Sequence, residues 1–298
     1  MIITPTTIRN LQTGFKAAFQ AGYDSSPAFW NMLATEIPSS DRSETYGWMA
    51  KLPKMREWLG ERVVQTLALH SYTLVNKTFE STVGVTREEI EDDRLGVFSP
   101  IMRDLGGQAA KQPDFLLADL IQAGNTSLGF DGQFFFDTDH PTSYYGQVAG
   151  VQSNHFTGTA LSHANYGVVR AAMMGFKGDD GKPLGVMPNI LLVPPQLEKT
   201  GLEILQAQMI SNNTNVYQGS AMLKVVPELA SEGDAWYLLD TSRAIRPFIF
   251  QNRRGAAFTA LDQPTDANVF NNNTYIYGAD MRCNVGYALW FLASRGKA

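Results

Sequence analysis

The stretch Asp137-Thr138-Asp139-His140-Pro141 sets two carboxylates beside an imidazole, residue types that can ligate a divalent metal or relay a proton. Either chemistry needs further groups converging from elsewhere in the chain. The remaining histidines, His70, His155 and His163, are scattered, and no second histidine-rich segment has metal-site spacing. The competing reading is architectural: Asp137 and Asp139 accept hydrogen bonds from nearby backbone amides in Asx turns, and Pro141 fixes a corner. A metal-dependent hydrolase built on Asp137, Asp139 and His140 therefore stands as the alternative, and no catalytic, cofactor-binding or metal site is assigned.

Other reactive residue types give weaker signals. Cys283 stands beside Arg282 in an extended stretch with no histidine next to it, so it reads as a small core residue, not a nucleophile. The chain lacks a Gly-x-Ser-x-Gly elbow, a Gly-x-x-x-x-Gly-Lys-Ser/Thr phosphate loop and a Gly-x-Gly-x-x-Gly turn after a strand. Arg253-Arg254, Arg42, Arg56 and Arg62 form no basic run, which points to a solvated face or to ion pairs between chains. Trp48, Trp58, Tyr144 and Tyr145 lack the interleaved Lys or Arg that a single-stranded nucleic-acid platform requires, so packing is their expected role. Neither an enzyme activity nor a cofactor is expected.

Composition bounds the rest. The 298 residues are 44% apolar and 18% charged, enough for one large core or two modest ones. With 29 acidic against 24 basic residues the net charge is −5, which disfavours tight binding of a phosphate backbone by the chain as a whole. A single cysteine excludes an internal disulfide framework and suits a reducing compartment. Met1-Ile2-Ile3-Thr4-Pro5 lacks the charged start of a signal peptide, and no apolar run approaches the roughly 20 residues that span a bilayer. Secretion and membrane insertion are not expected.

The elements that must position these residues begin with an amphipathic helix over Thr6 to Gly22, where Ile8, Leu11, Phe15, Ala18 and Phe19 recur at helical spacing and Thr7 is the expected cap. A loop punctuated by Pro27 and Pro38 follows. Its aromatic residues Tyr23, Phe29 and Trp30 need a surface to pack on, either a neighbouring subunit or the chain's own body. Next come a helical patch at Pro53 to Leu59 and two extended stretches, Arg62 to Leu69 and Tyr72 to Val85, which read as a projecting ribbon bent at His70-Ser71. Thr86 with Glu89 forms a capping box at the strongest helix start in the sequence. Leu95, Phe98, Met102, Leu105 and Ala109 give that helix one buried stripe to about Lys111. Pro100 predicts a bend and Pro113 a break, with helix resuming from Phe115 to Ala123 and stopping at Gly124-Asn125.

Beyond it, Ser127 to Val151 reads as turns and short extended pieces. Ser162 caps a helix to Phe176, Asn189 to Val193 is a buried strand, and Pro195 opens another helix. Leu223 to Pro227, Ala235 to Leu239, Pro247 to Gln251 and Tyr275 to Phe291 read as antiparallel strands. Strands before and after a helical middle predict an α+β fold.

Five stretches resemble the Mu-type phage and prophage major head subunit family: Trp48 through Gly60-Glu61-Arg62; Val85 to Asp93; Phe135-Phe136-Asp137-Thr138-Asp139-His140-Pro141; Arg246-Pro247-Phe248-Ile249-Phe250-Gln251; and Tyr277-Gly278 through Gly286-Tyr287-Ala288-Leu289-Trp290. Their order and spacing cover most of the chain between Trp48 and Trp290. The resemblance implies the HK97-like capsid fold, with an N-terminal arm at 1–41 and an extended β-hairpin loop at 42–85. It places a peripheral domain with a long spine helix at 86–124 and 245–298, and an axial domain at 125–244. It also implies a major capsid protein that self-assembles as hexamers and pentamers of an icosahedral shell around double-stranded DNA, without sequence-specific binding. Portal, scaffold and decoration proteins are the further partners it implies, in a virion assembled in the bacterial host cytoplasm. No catalytic residues come with the family. A tail tube or decoration subunit is the remaining structural alternative.

Overall fold

A computed structural model describes residues 5–49, 69–92, 96–143, 149–210, 212–263 and 265–298. Helix α1 (Pro5–Ser25) is longer than predicted at both ends, so Thr7 lies inside it rather than at its cap. Ile8, Phe15 and Phe19 are buried on one face of α1, as the spacing predicts. A single turn, α2 (Trp30–Leu33), leads straight into strand β1 (Ala34–Pro38). The loop aromatics are satisfied within the chain: Phe29 is buried, and the Trp30 ring lies 4.4 Å from that of Phe250. Of the two covers the sequence left open, the chain's own body supplies the one seen for Phe29 and Trp30.

Strands β2 (Ser43–Met49) and β3 (Leu69–Val75) pair antiparallel from Ser43↔Val75 to Met49↔Leu69, forming a two-stranded ribbon. The predicted strand from Tyr72 to Val85 is broken at Asn76, whose buried amide donates to Ser39 Oγ and to the Asp41 carbonyl, both at 2.8 Å. His70-Ser71 therefore sits within β3 and not at a bend. The ribbon's second strand comes from residues 43–49, ahead of the stretch predicted to supply it. The helical patch at 53–59 and residues 62–68 of the predicted first strand lie outside the described residues.

After Asn76 the chain continues as β4 (Lys77–Thr86) and then α3 (Arg87–Asp92). The capping box forms as predicted: Glu89 N–H donates to Thr86 Oγ1 at 3.3 Å, and Glu89 Oε2 accepts from Thr86 N–H at 2.8 Å. The long helix is a separate element, α4 (Phe98–Gln122), of 25 residues and about 37 Å. Pro100 falls in its first turn, where no helical N–H partner is needed. Pro113 lies inside α4 without ending it, contrary to the predicted break. Helix α1 packs along one side of α4 at very close range: a Cβ on Gly106 would sit 2.0 Å from the Phe19 carbonyl oxygen, and one on Gly22 would sit 1.9 Å from that of Arg103. Only glycine allows this crossing.

The following segment contributes short strands β5 (His140–Pro141), β6 (Val151–Gln152) and β7 (His155–Phe156), then α5 (His163–Met174), capped as predicted by Ser162 Oγ accepting from Asn165 N–H at 3.1 Å. Strand β8 (Ile190–Val193) is wholly buried and precedes α6 (Glu198–Gln206). A small hairpin, β9 (Met209–Ile210) with β10 (Asn213–Thr214), comes next, then β11 (Met222–Val225) and β12 (Ala235–Leu239). Two long strands, β13 (Phe248–Leu261) and β14 (Thr274–Tyr287), flank the short helix α7 (Ala267–Asn272), and β15 (Ala293–Lys297) follows.

Two sheets organise the molecule. One has the order β1-β13-β14-β4 and carries α1 and α4; the other has the order β11-β8-β12-β15-β7. The predicted all-antiparallel pattern is corrected at β11, which pairs parallel with β8, as β1 does with β13 and β7 with β15. Segment 245–298 does not return wholly to the α4-bearing sheet, because β15 inserts between β12 and β7. A common core joins the sheets through Phe135, Phe248, Tyr287 and Trp290, while a second lies under α1, where Phe15 meets Tyr277 edge-on at 5.1 Å.

Candidate functional site

The Asp-His segment is a structural corner. His140 is fully buried, with its ring stacked on Trp290 at 4.0 Å and 6°. Its Nδ1 lies 2.7 Å from Asp131 Oδ2 and its Nε2 lies 3.2 Å from Asn154 Oδ1. The Asn154 amide nitrogen faces three carbonyls, those of Phe135 at 2.8 Å, Ala293 at 3.0 Å and Trp290 at 3.2 Å. The oxygen must therefore be the atom facing His140, and Nε2 donates to it. Both ring nitrogens are thus engaged by protein groups.

Asp137 does what the turn reading predicts: its carboxylate accepts from Thr138 N–H at 2.7 Å and Phe134 N–H at 3.1 Å. Asp139 is exposed and takes no part in the cluster. The structure thus brings together His140 with Asp131 and Asn154, partners that the local motif does not contain, and leaves Asp139 outside. Among the described residues no group of three His, Cys, Asp or Glu side chains is arranged to hold a metal. This geometry gives the hydrolase alternative no support.

Cys283 is buried in β14, and burial pushes its thiol up to about 12, far from a reactive thiolate. Arg254 pairs with Asp280 of its own sheet, and Arg253 donates to the Ser39 carbonyl at 3.1 Å; both are exposed, in line with the solvated face that was one of the two readings. Arg42 is exposed, while Arg56, Arg62, Trp58, Tyr144 and Tyr145 lie outside the described residues.

A second polar cluster went unrecognised in the sequence. Arg295, almost fully buried in β15, makes two 2.9 Å bonds to the Glu232 carboxylate and donates through Nη1 to His155 Nε2 at 2.8 Å. Burial alone would raise the Glu232 carboxyl, but the bonds from Arg295 and the charge of Lys297 hold it below its ordinary value. These partners lie 63 and 140 residues from Arg295 in the chain, so no local spacing signals them.

What remains on the surface suits contact with other chains. The β2–β3 ribbon projects its exposed Thr45 and Thr73, bonded to each other at 3.0 Å. Phe270 at 84% exposure and Val216 at 73% stand out among the exposed apolar side chains. A groove of about 340 Å³ opens between α4 and β4–β14, lined by Phe79, Glu80, Gln112, Phe115, Asp280 and Met281.

This arrangement of two sheets, a long helix and a basal ribbon matches solved viral shells. The procapsid chain of bacteriophage JBD30 superposes with a TM-score of 0.65 at 35% identity, covering 99% of this chain and 76% of that one. The capsid of cyanophage P-SCSP1u shares the fold alone, with a TM-score of 0.59 at 10% identity over 92% of this chain and 88% of its own. The fold is HK97-like, that of a phage shell-forming protein. Along the sequence, the family model for the Mu-like prophage major head subunit gpT matches residues 8–161, 149–229 and 228–298. The major capsid protein of Escherichia phage Mu is 33% identical over 293 residues, covering 98% of this chain and 74% of the relative. The chain belongs to the Mu-like prophage major head subunit family.

Proposed function

We propose that copies of this chain meet head to tail in hexamers and pentamers, which close into an icosahedral shell around double-stranded DNA. The subunit performs no catalysis. In this reading the α4-bearing half with β13 and β14 is the peripheral domain, the five-stranded half is the axial domain, and the β2–β3 ribbon reaches over a neighbouring subunit. The observation that carries it is the ribbon itself: among the described residues β2 and β3 pair only with each other, and the sequence between them, residues 50–68, contains Leu52, Met55, Trp58 and Val63 together with Lys51, Lys54, Arg56 and Arg62. A sequence both apolar and basic, joining two strands that form a sheet of their own, favours an external partner surface.

Portal, scaffold and decoration proteins complete the particle, which assembles in the bacterial host cytoplasm. The packaged DNA is enclosed without sequence-specific contacts, in keeping with the net charge of −5. No described helix is long and apolar enough to cross a membrane.

Electron microscopy of the purified chain provides the test. Polyhedral shells are expected; tubes or isolated small rings would favour a tail or decoration role. Replacing residues 50–68 by an Asn-Gly turn should leave a folded, soluble subunit by circular dichroism that no longer forms shells. Shells built from that variant would remove the ribbon from the account.

A further inference from the structure

The cluster at the edge of the five-stranded sheet has no part in the shell contacts proposed above. Arg295 can only donate and keeps its charge at all working pH values, so the atom that meets it, His155 Nε2, must offer a lone pair. The guanidinium cannot swing aside, because both oxygens of Glu232 hold it at 2.9 Å, and the Tyr237 hydroxyl fixes Glu232 in turn at 3.1 Å. A second proton on His155 would place one cation 2.8 Å from another in a half-buried setting.

Of the other charged groups around His155, Asp137 and Glu232 favour its proton, but burial and Arg295 outweigh them. Lys297, on β15, adds a further positive charge and itself lies 3.5 Å from Glu232. Glu232, from the turn before β12, is committed to Arg295, Lys297 and Tyr237. Asp137, ahead of β5, already accepts from two backbone amides. The strand bearing His155 is also the shortest in the sheet: β7 has two residues, paired to β15 at Arg295↔His155 and Gly296↔Phe156, with Arg295 N–H bonding the Asn154 carbonyl just before it, and Thr159 N–H bonding the Lys297 carbonyl and Trp236 Nε1–H the Thr159 carbonyl just beyond.

We propose that the His155–Arg295 contact is an acid-operated release for β7: protonation of His155 detaches residues 155–159 from β15 and uncovers one edge of the five-stranded sheet. Burial and the neighbouring Arg295 both lower the proton affinity of His155 below its ordinary value. The released segment therefore takes up the proton more readily than the docked one. Docking is at full strength above about pH 6.5 and weakens as the pH falls towards the depressed value of the docked ring.

Hydrogen exchange on the full-length chain, corrected for intrinsic rates, tests this at the Phe156 and Thr159 amides between pH 8 and pH 5. One-proton linkage predicts that protection falls as the pH drops below about 6, by at most about tenfold per pH unit. In His155→Gln, which keeps an acceptor but cannot be protonated, the fall should vanish. Equal pH dependence in the two proteins, or an unchanging wild type, overturns the proposal. Should the variant not fold at pH 8, an NMR titration of the His155 ring in the wild-type chain decides: a midpoint below 6.5 supports the release, and one at or above 6.5 overturns it.

Discussion

Asn154 ties three distant parts of the chain with a single amide, bonding Phe135, His140 and the backbone just before and at the start of β15. Replacing it with Ala would strand several buried donors and acceptors, and chemical denaturation should register a loss of about 2 kcal/mol or more. Asp139→Ala, at an exposed position without partners among the described residues, should change stability by less than about 0.5 kcal/mol. Metal analysis of both the wild type and that variant is expected to find no stoichiometric ion; a bound ion lost on substitution would revive the hydrolase. Glu232 adds a pH dependence. Its carboxyl is held below its ordinary value in the fold, so its contribution is complete above about pH 4.5 and is lost as the pH drops further. Denaturation midpoints measured from pH 6 to pH 3 should fall less steeply in Glu232→Gln than in the wild type. The Asp137 turn was legible in the sequence because its partners are one and three residues away; Asp131 and Asn154 were not, because they reach His140 from 9 and 14 residues off and depend on the fold around Trp290.

Among the elements, the crossing of α1 and α4 is the most sensitive to sequence. Gly106→Val would drive a side chain into the Phe19 carbonyl, forcing α1 off its seat at a cost of roughly 1–3 kcal/mol. Limited proteolysis should then cut within Pro5–Ser25 sooner than in the wild type, while the five-stranded sheet stays protected. Periodicity revealed both helices, since each buries one regular stripe. It misjudged Pro113, because α1 on one side and β14 on the other hold α4 helical through a residue that local rules would treat as a stop. Likewise Tyr72 to Val85 looked like one strand, and only the buried bonds of Asn76 divide it between the ribbon and the main sheet.

At the scale of the whole molecule, a major capsid subunit should gain stability from its copies. Calorimetry is expected to show assembled shells melting above the free subunit, and the free subunit's transition should rise with concentration as association begins. Identical melting of both forms would mean that the contacts between copies contribute little. The α+β class, the first helix, the long helix and the late strands could be read from pattern and resemblance. The destination of the final strand could not, because pairing β15 with β12 and β7 is a choice among partners that no local signal encodes.

That destination bears on how the subunit is made. Strand β12 emerges from the ribosome well before residues 293–297, and until they arrive one of its edges is bare and β7 has nothing to lean on. A nascent chain therefore cannot complete this half until residues 293–297 have been made, however early β12 and β7 appear.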